Sequence, residues 1–399
     1  MGEGLSENSR NASAPRALLY SIAAGIGGSG LDAVALETLR GAEQDGILKL
    51  AIALSNRQSE IPAAKIHTLR WHPARWLKFL GEPMSHGARR HAVDHAAASA
   101  LEVGGFDIFH TWSGDSLQAL RVAHRLGIPS LLEIPTWHRN KGKRKPAVTK
   151  SERERDAAPF PQSLLNRLLV TRQQVMEEYE LADVILVLSE KARETFLAVD
   201  VPESKLVRIS RGVNPSVFTP APSPPARFRA VLVGSLSHRK GVPTLLEAWK
   251  KLALPEAELV LVGQPSSEVR ALLRDAPSSV RVTGFVRDVA SELRAASVHV
   301  FPSECEGSAK VTYEASSCGL PQITTREAGD VVVDGETGIV IPPNDVDALA
   351  EALLRLFHDP DLRARMGAAG RLRVVENFTW EHFRDRIRAA YRIAWERRR

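Results

Sequence analysis

VFPSECEGSAKVTYEASSCGLP, residues 300–321, reads as the end of a short buried strand, a polar turn, a Glu-Gly corner and a helix. The strand is expected over Val298–Phe301, and the helix from about Ser308 to Cys318, where Gly319 and Pro321 stop it. Two carboxylates bracket the corner. Glu306 lies on the loop and Glu314 inside the helix, with 307–313 between them. Gly307, Ser308 and Ala309 place small side chains where the helix begins. A helix N-terminus presents unsatisfied backbone N–H groups and a positive partial charge, so this corner suits a phosphate without any metal.

Working outward, 399 residues exceed one ordinary core, and two domains are expected. Hydrophobic residues at 44% and charged residues at 25% describe a globular chain rather than a disordered or fibrous one. No run approaches ~20 uninterrupted apolar residues, so no transmembrane helix is expected. Residues 1–15 are polar and lack the apolar centre of a secretory signal, which reads as a disordered lead on a cytoplasmic protein. The two cysteines, Cys305 and Cys318, share one strand-helix unit without metal-ligand spacing, and no disulfide is expected between them. The net charge of +6 comes with basic clusters at 70–79, 138–146 and 395–399, none of which carries a nucleic-acid-binding motif. Nucleic acid is therefore not an expected partner.

From the N-terminal side, Arg16–Ala23 reads as a first buried strand leading into AGIGGSG (24–30) and a helix at Leu31–Leu39. Gly25, Gly27 and Gly30 match the spacing of a dinucleotide loop, but the second strand ends in Ser55, Asn56 and Arg57 rather than an acidic residue. A glycine loop that admits a substrate close to the backbone is the preferred reading. Trp71, Trp76 and Phe79 among Arg70, Arg75 and Lys78 suit either core packing with snorkelled stems or a peripheral membrane contact. FDIFHTW (106–112) and SLLEIPTWHRN (130–140) are strands that deliver His110 and His138 toward their C-terminal ends, where open parallel sheets bind ligands. The charged loop 139–160, with Lys141, Lys143, Arg144 and Lys145, suits an anionic acceptor or a solvated segment. A helix over 164–181 follows, then the strand-helix unit 182–196 and the Pro-rich linker 216–226.

The Glu306-x7-Glu314 spacing resembles the signature of the family-4 retaining glycosyltransferases. So do VLVGSLSHRKGVPTLLEAW (231–249), LVLVG (259–263), VRVTGFV (280–286), GLPQITTREAGDVVVDGETGIVIPP (319–343) and ENFTWEHF (376–383), in that order. The resemblance implies an α/β fold of two facing Rossmann-like domains with a deep interdomain cleft, the glycosyltransferase B fold. It divides the chain into an acceptor-side domain at 16–215, a nucleotide-sugar domain at 227–379 and a helix at 380–399 that crosses back. It implies that Lys240, with Arg239 standing in for the arginine this family usually carries at Ser235, clamps a nucleotide diphosphate. Glu314 would accept from the ribose hydroxyls, and Glu306 would face the transferred sugar. Gly307, Ser308, Ala309, Lys310 and Val311 would line the diphosphate and sugar, Lys310 reading a charged sugar or pointing to solvent. Gly284 and Phe285 would form the base-binding turn, His138 would contact the donor sugar, and Gly28, Ser29, Gly30 and His110 would face the cleft. The activity implied is sugar transfer, with retention, from a nucleotide-diphosphate sugar to a glycan, glycolipid or other hydroxyl acceptor, in envelope or exopolysaccharide synthesis. No cofactor and no divalent metal is expected. A catalytically silent scaffold of the same fold and an NAD-binding oxidoreductase are the alternatives.

Overall fold

Short runs of β-branched and leucine residues, each followed by a turn and a helix, assemble into two parallel sheets. The computed structural model describes residues 14–70, 72–73, 82–138 and 169–398. The first sheet has β1 (Leu18–Ile26), β2 (Leu48–Asn56), β3 (Ile66–Thr68), β4 (Ile108–Trp112), β5 (Ser130–Glu133), β6 (Val184–Val187) and β7 (Leu206–Arg208). Their order is β3-β2-β1-β4-β5-β6-β7. The second has β8 (Arg229–Val233), β9 (Glu258–Val262), β10 (Val280–Gly284), β11 (Val298–Phe301), β12 (Gln322–Thr324) and β13 (Gly338–Val340), in the order β10-β9-β8-β11-β12-β13. Strand order reverses between β1 and β4 in one sheet and between β8 and β11 in the other. Crevices at the carboxyl ends of the strands open at such points.

The first domain carries α1 (Leu31–Gln44), α2 (Glu82–Val103), α3 (Leu117–Leu126), α4 (Arg172–Leu181) and α5 (Glu190–Leu197). The second carries α6 (Val242–Leu252), α7 (Arg270–Arg274), α8 (Val289–Arg294), α9 (Lys310–Ser317), α10 (Val346–His358) and α11 (Pro360–Asn377). The chain then returns through α12 (Trp380–Arg397). Thr379 opens this helix with a capping box to His382. Phe383, Ile387, Tyr391 and Ala394 are buried in the same cluster as Leu18, Tyr20 and Val184 of the first sheet. Each large side chain so buried contributes about 1.5–3 kcal/mol. Gly212 makes the crossing possible, because a Cβ there would sit 2.6 Å from the Trp380 ring.

Among the boundaries that differ from the sequence reading, two bear on the site. β1 runs on to Ile26, because Gly25 and Ile26 pair with Ser55 and Asn56 of β2. Gly25 is thus a strand residue, and the turn begins at Gly27, φ +80°. The helix after the Glu-Gly corner starts at Lys310 rather than Ser308, because Ala309 is extended and donates its N–H to Ala328 O at 2.8 Å. The chain's two Asp-x-Asp triplets, 345–347 and 359–361, are helix starts: Asp345 caps α10 and Asp359 caps α11.

Residues 1–13, the aromatic pair Trp71 and Trp76 with Phe79, the basic loop 139–160 and the first part of the helix expected over 164–181 lie outside the described residues. Among the described residues no helix is long and apolar enough to cross a membrane.

Candidate functional site

The loops leaving β8 and β11, neighbours in the second sheet, meet beyond the carboxyl ends of these strands. Their approach depends on Gly241. It holds φ +72°, and any Cβ there would fall 2.2 Å from Pro302 O. The turn before it delivers Lys240, whose Nζ lies 2.5 Å from Glu306 Oε1 and 4.9 Å above the Phe301 ring. Arg239 Nη1 lies 3.4 Å from the same carboxylate oxygen and donates to Cys305 O at 3.1 Å. Ser303 Oγ, which no sequence pattern singled out, stands 3.2 Å from Glu306 Oε1 and 3.0 Å from Arg239 O.

The electrostatics are lopsided. Two cations face one carboxylate oxygen, so the corner has positive charge to offer an incoming anion. Burial pulls the Lys240 ammonium below the usual lysine range, and Glu306 opposes that pull. Of the backbone groups expected to meet a diphosphate, Ala309 N–H is already engaged by Ala328 O, and next to them Glu306 N–H donates to Glu327 O at 2.9 Å. One turn into α9, Glu314 is buried and accepts from Lys310 Nζ at 2.8 Å. Lys310 therefore turns along its own helix rather than toward the Lys240 side. Val311 is buried beside it in the domain core.

The first domain touches this corner through a residue that chemistry-based reading passed over. A Cβ on Gly307 would fall 2.3 Å from Pro135 O and 3.0 Å from Leu188 Cδ1, so the exit of β5 lies against it. β5 ends at Glu133, two residues before Pro135. His138 is three residues further on. Its backbone N–H donates to Thr195 Oγ1 at 3.0 Å, and its buried ring meets Tyr179 and Phe196 edge-on, with centroids 5.9 and 5.8 Å away. The ring thus packs against side chains of α4 and α5 in its own domain.

His110 is also inside the protein, in the middle of β4. Its Nδ1 lies 2.9 Å from Tyr391 Oη of α12, and its Nε2 3.4 Å from Glu133 Oε2. Arg211, in the turn that joins the domains, completes the chain with Nη1 2.5 Å from Glu133 Oε1. Burial raises the Glu133 pKa, but Arg211 and His110 outweigh it and hold the group below the usual glutamate range. Arg211 N–H also reaches Tyr313 Oη at 3.3 Å, and Tyr313 Oη lies 2.6 Å from Ser308 Oγ. The corner and the sheet of the other domain are linked through this one turn.

Gly28, Ser29 and Gly30 form an exposed turn after β1. The Asp32 carboxylate fills the turn's inner side by accepting from Gly25 N–H at 3.0 Å, and an added Cβ on Gly25 would stand 2.6 Å from Asp32 Oδ2. The seat where a dinucleotide pyrophosphate would lie is thus held by a negative group. Gly284, φ +71°, ends the edge strand β10, two strands from β8, and Phe285, 73% exposed, follows it.

Residues 227–359 match the family described as Glycosyl transferases group 1. A GDP-mannose-dependent alpha-(1-6)-phosphatidylinositol monomannoside mannosyltransferase of Mycolicibacterium smegmatis is 32% identical over 226 residues, 50% of this chain and 59% of that protein. A D-inositol 3-phosphate glycosyltransferase of Kribbella flavida is 29% identical over 332 residues, covering 75% of this chain and 74% of the relative. The chain spans about three fifths of the first curated relatives it matches, 59% and 61% of their lengths. Among solved structures, sucrose-phosphate synthase from Thermosynechococcus elongatus superposes with a TM-score of 0.65 at 19% identity, over 94% of this chain and 98% of the other. Two parallel-sheet domains with these neighbours make the fold glycosyltransferase B.

Proposed function

We propose that the protein is a retaining glycosyltransferase that moves a sugar from a nucleotide-diphosphate sugar to a hydroxyl acceptor, in envelope or extracellular glycan synthesis. The observation that carries this reading is the Lys240–Glu306–Arg239 group at the joined ends of β8 and β11, with Glu314 one helical turn beyond and Pro135 of the other domain against the corner. A diphosphate entering here exchanges with Glu306 for the two cations, and Lys240 and Arg239 then stabilise the charge that develops on the leaving phosphate. That role needs no divalent ion. Glu306, released from Lys240, is left to orient sugar hydroxyls or to support positive charge at the anomeric carbon. The departing phosphate oxygen takes the acceptor proton.

Glu314 binds the ribose diol. Its present partner, Lys310, is part-exposed and sits at i,i+4, an arrangement contributing about 0.3–0.5 kcal/mol. The two diol hydroxyls replace that one ammonium contact, and Lys310, 39% exposed, is left to solvent.

The test is calorimetry with GDP-, UDP- and ADP-sugars in EDTA, with Glu314→Gln beside the wild type. The mannosyltransferase relative is named for GDP-mannose, which puts GDP-sugars first. Binding of one nucleotide class that weakens in the variant supports the site and its metal independence. Binding to none of them rejects both. A second reading, a binding protein without turnover, is favoured by one observation: Pro135 rather than an imidazole faces Gly307. Donor binding with no transfer to any acceptor separates it from the first.

A further inference from the structure

A mostly apolar recess of the second domain lies away from this corner. It lies at the opposite ends of the same strands, where Ser297 precedes β11 and Pro321 precedes β12. The Pro-rich linker forms one wall and α11 the other, enclosing about 760 Å³. That volume is within the range of small-molecule sites, roughly 300–1,000 Å³. Pro220, Pro222, Pro224 and Pro225 line the linker wall and have no N–H to leave unsatisfied against an apolar ligand. On the α11 wall, Leu372 is 59% exposed, and Ala364 and Ala368 leave the recess open.

The charge around this apolar floor has one sign. Arg294, Arg363 and Arg371 line the recess, and no acidic side chain does. Arg363 and Arg371 each hold backbone carbonyls through Nη1: Leu356 and Phe357 for Arg363, and Phe218 and Ser317 for Arg371. A guanidinium has five N–H donors in a planar fork, so these anchored arginines still present donors to the recess.

We infer that this recess is a binding site for an anionic amphiphile, a single alkyl or acyl chain with a carboxylate or phosphate head, seated with the chain along the proline wall and the head on the arginines. The charge complementarity selects it. Arg294 has Asp288 Oδ2 4.0 Å away outside the recess, but inside it an uncharged apolar ligand offers the three guanidiniums no acceptor, and a cationic one is repelled. A flat bilayer surface cannot enter a concave recess, whereas one extracted chain can.

The probes are dodecyl phosphate and laurate, both below their critical micelle concentrations, titrated into the full-length protein, with dodecanol as the uncharged control. The expected result is saturable one-to-one binding of both anions, with dodecanol weaker by about tenfold or more, the loss of a charge-assisted hydrogen bond. Ala368→Trp, an exposed position that needs no core repacking, should abolish binding while leaving the circular dichroism and the nucleotide-sugar titration unchanged. Arg294→Gln should weaken the anions about tenfold and leave dodecanol unaltered. Equal affinity for dodecanol would overturn the assignment, as would binding that survives Ala368→Trp or no binding at all. Sedimentation at the same concentrations adds a further check. A dimer broken by Ala368→Trp would give the recess to a second copy, and preferential capture of an acidic amphipathic peptide over dodecyl phosphate would give it to a protein partner.

Discussion

Lys240 and Glu306 share one short ion pair, so neither substitution reports on its partner alone. If Lys240 acts on the leaving group as proposed, Lys240→Met should lower kcat by about 10²–10³-fold, the effect of deleting one preorganised donor. Glu306→Gln leaves both cations in place with less to hold them. Donor affinity should be kept or increased while kcat falls. Measuring donor Kd and kcat separately distinguishes these outcomes, and a parallel loss of affinity in both variants would make the pair merely structural. Glu306, Glu314 and Lys240 were legible in the sequence because each belongs to a local strand-turn-helix unit with fixed spacing. Ser303 and Pro135 were not, since their importance comes from contacts with distant segments. The setting of His138 was hidden for a related reason: its place near a strand end is local, while its burial beside Tyr179 and Phe196 is decided by helices elsewhere in the chain.

α12 was expected from the family resemblance, but what its Tyr391 does was not. Tyr391 reaches His110 from 281 residues away in sequence. Tyr391→Phe should cost about 0.5–1.5 kcal/mol, read as a lower urea midpoint, since only one hydrogen bond is lost. Glu133→Gln should be far more damaging, about 3–5 kcal/mol, because it leaves the Arg211 guanidinium buried without its counter-charge. Pairing Glu133→Gln with Arg211→Met should recover part of that loss. No recovery would mean that the two groups do not act as a pair. The end of β1 was misread because glycines signal a turn in sequence, whereas Gly25 is held in the strand by β2.

The protein as a whole should respond to pH through three buried carboxyls in the first domain. Asp94 and Asp115 are pushed up to about 6 and Glu178 to about 8, in each case by burial, against backbone N–H donors that favour the ionised form. The folded state therefore holds more protons than the unfolded chain at neutral pH, and stability falls as pH rises through this range. His299, buried and held neutral down to about 4, acts in the opposite sense on the acid side. Between pH 6.5 and 8.5 Glu178 dominates. The urea midpoint should fall across that interval, and Glu178→Gln should flatten the profile. A wild-type profile that is already flat would show that Glu178 ionises at its ordinary pKa. The two-sheet plan was legible in the alternation of apolar runs and turns, whereas these buried charges were hidden because no local pattern marks an acid for burial.

One carboxylate has a consequence for how the molecule tells its halves apart. The two sheets share their strand order, and a near-duplicate architecture offers two similar berths for a diphosphate, one after β1 and one after β8. Asp32, bonded to Gly25 N–H, closes the first with a charge of the same sign as the ligand. The pseudo-symmetry of the backbone is thereby broken by a single side chain. On the proposed reading, a donor's diphosphate is repelled from the berth after β1 and left with the one after β8.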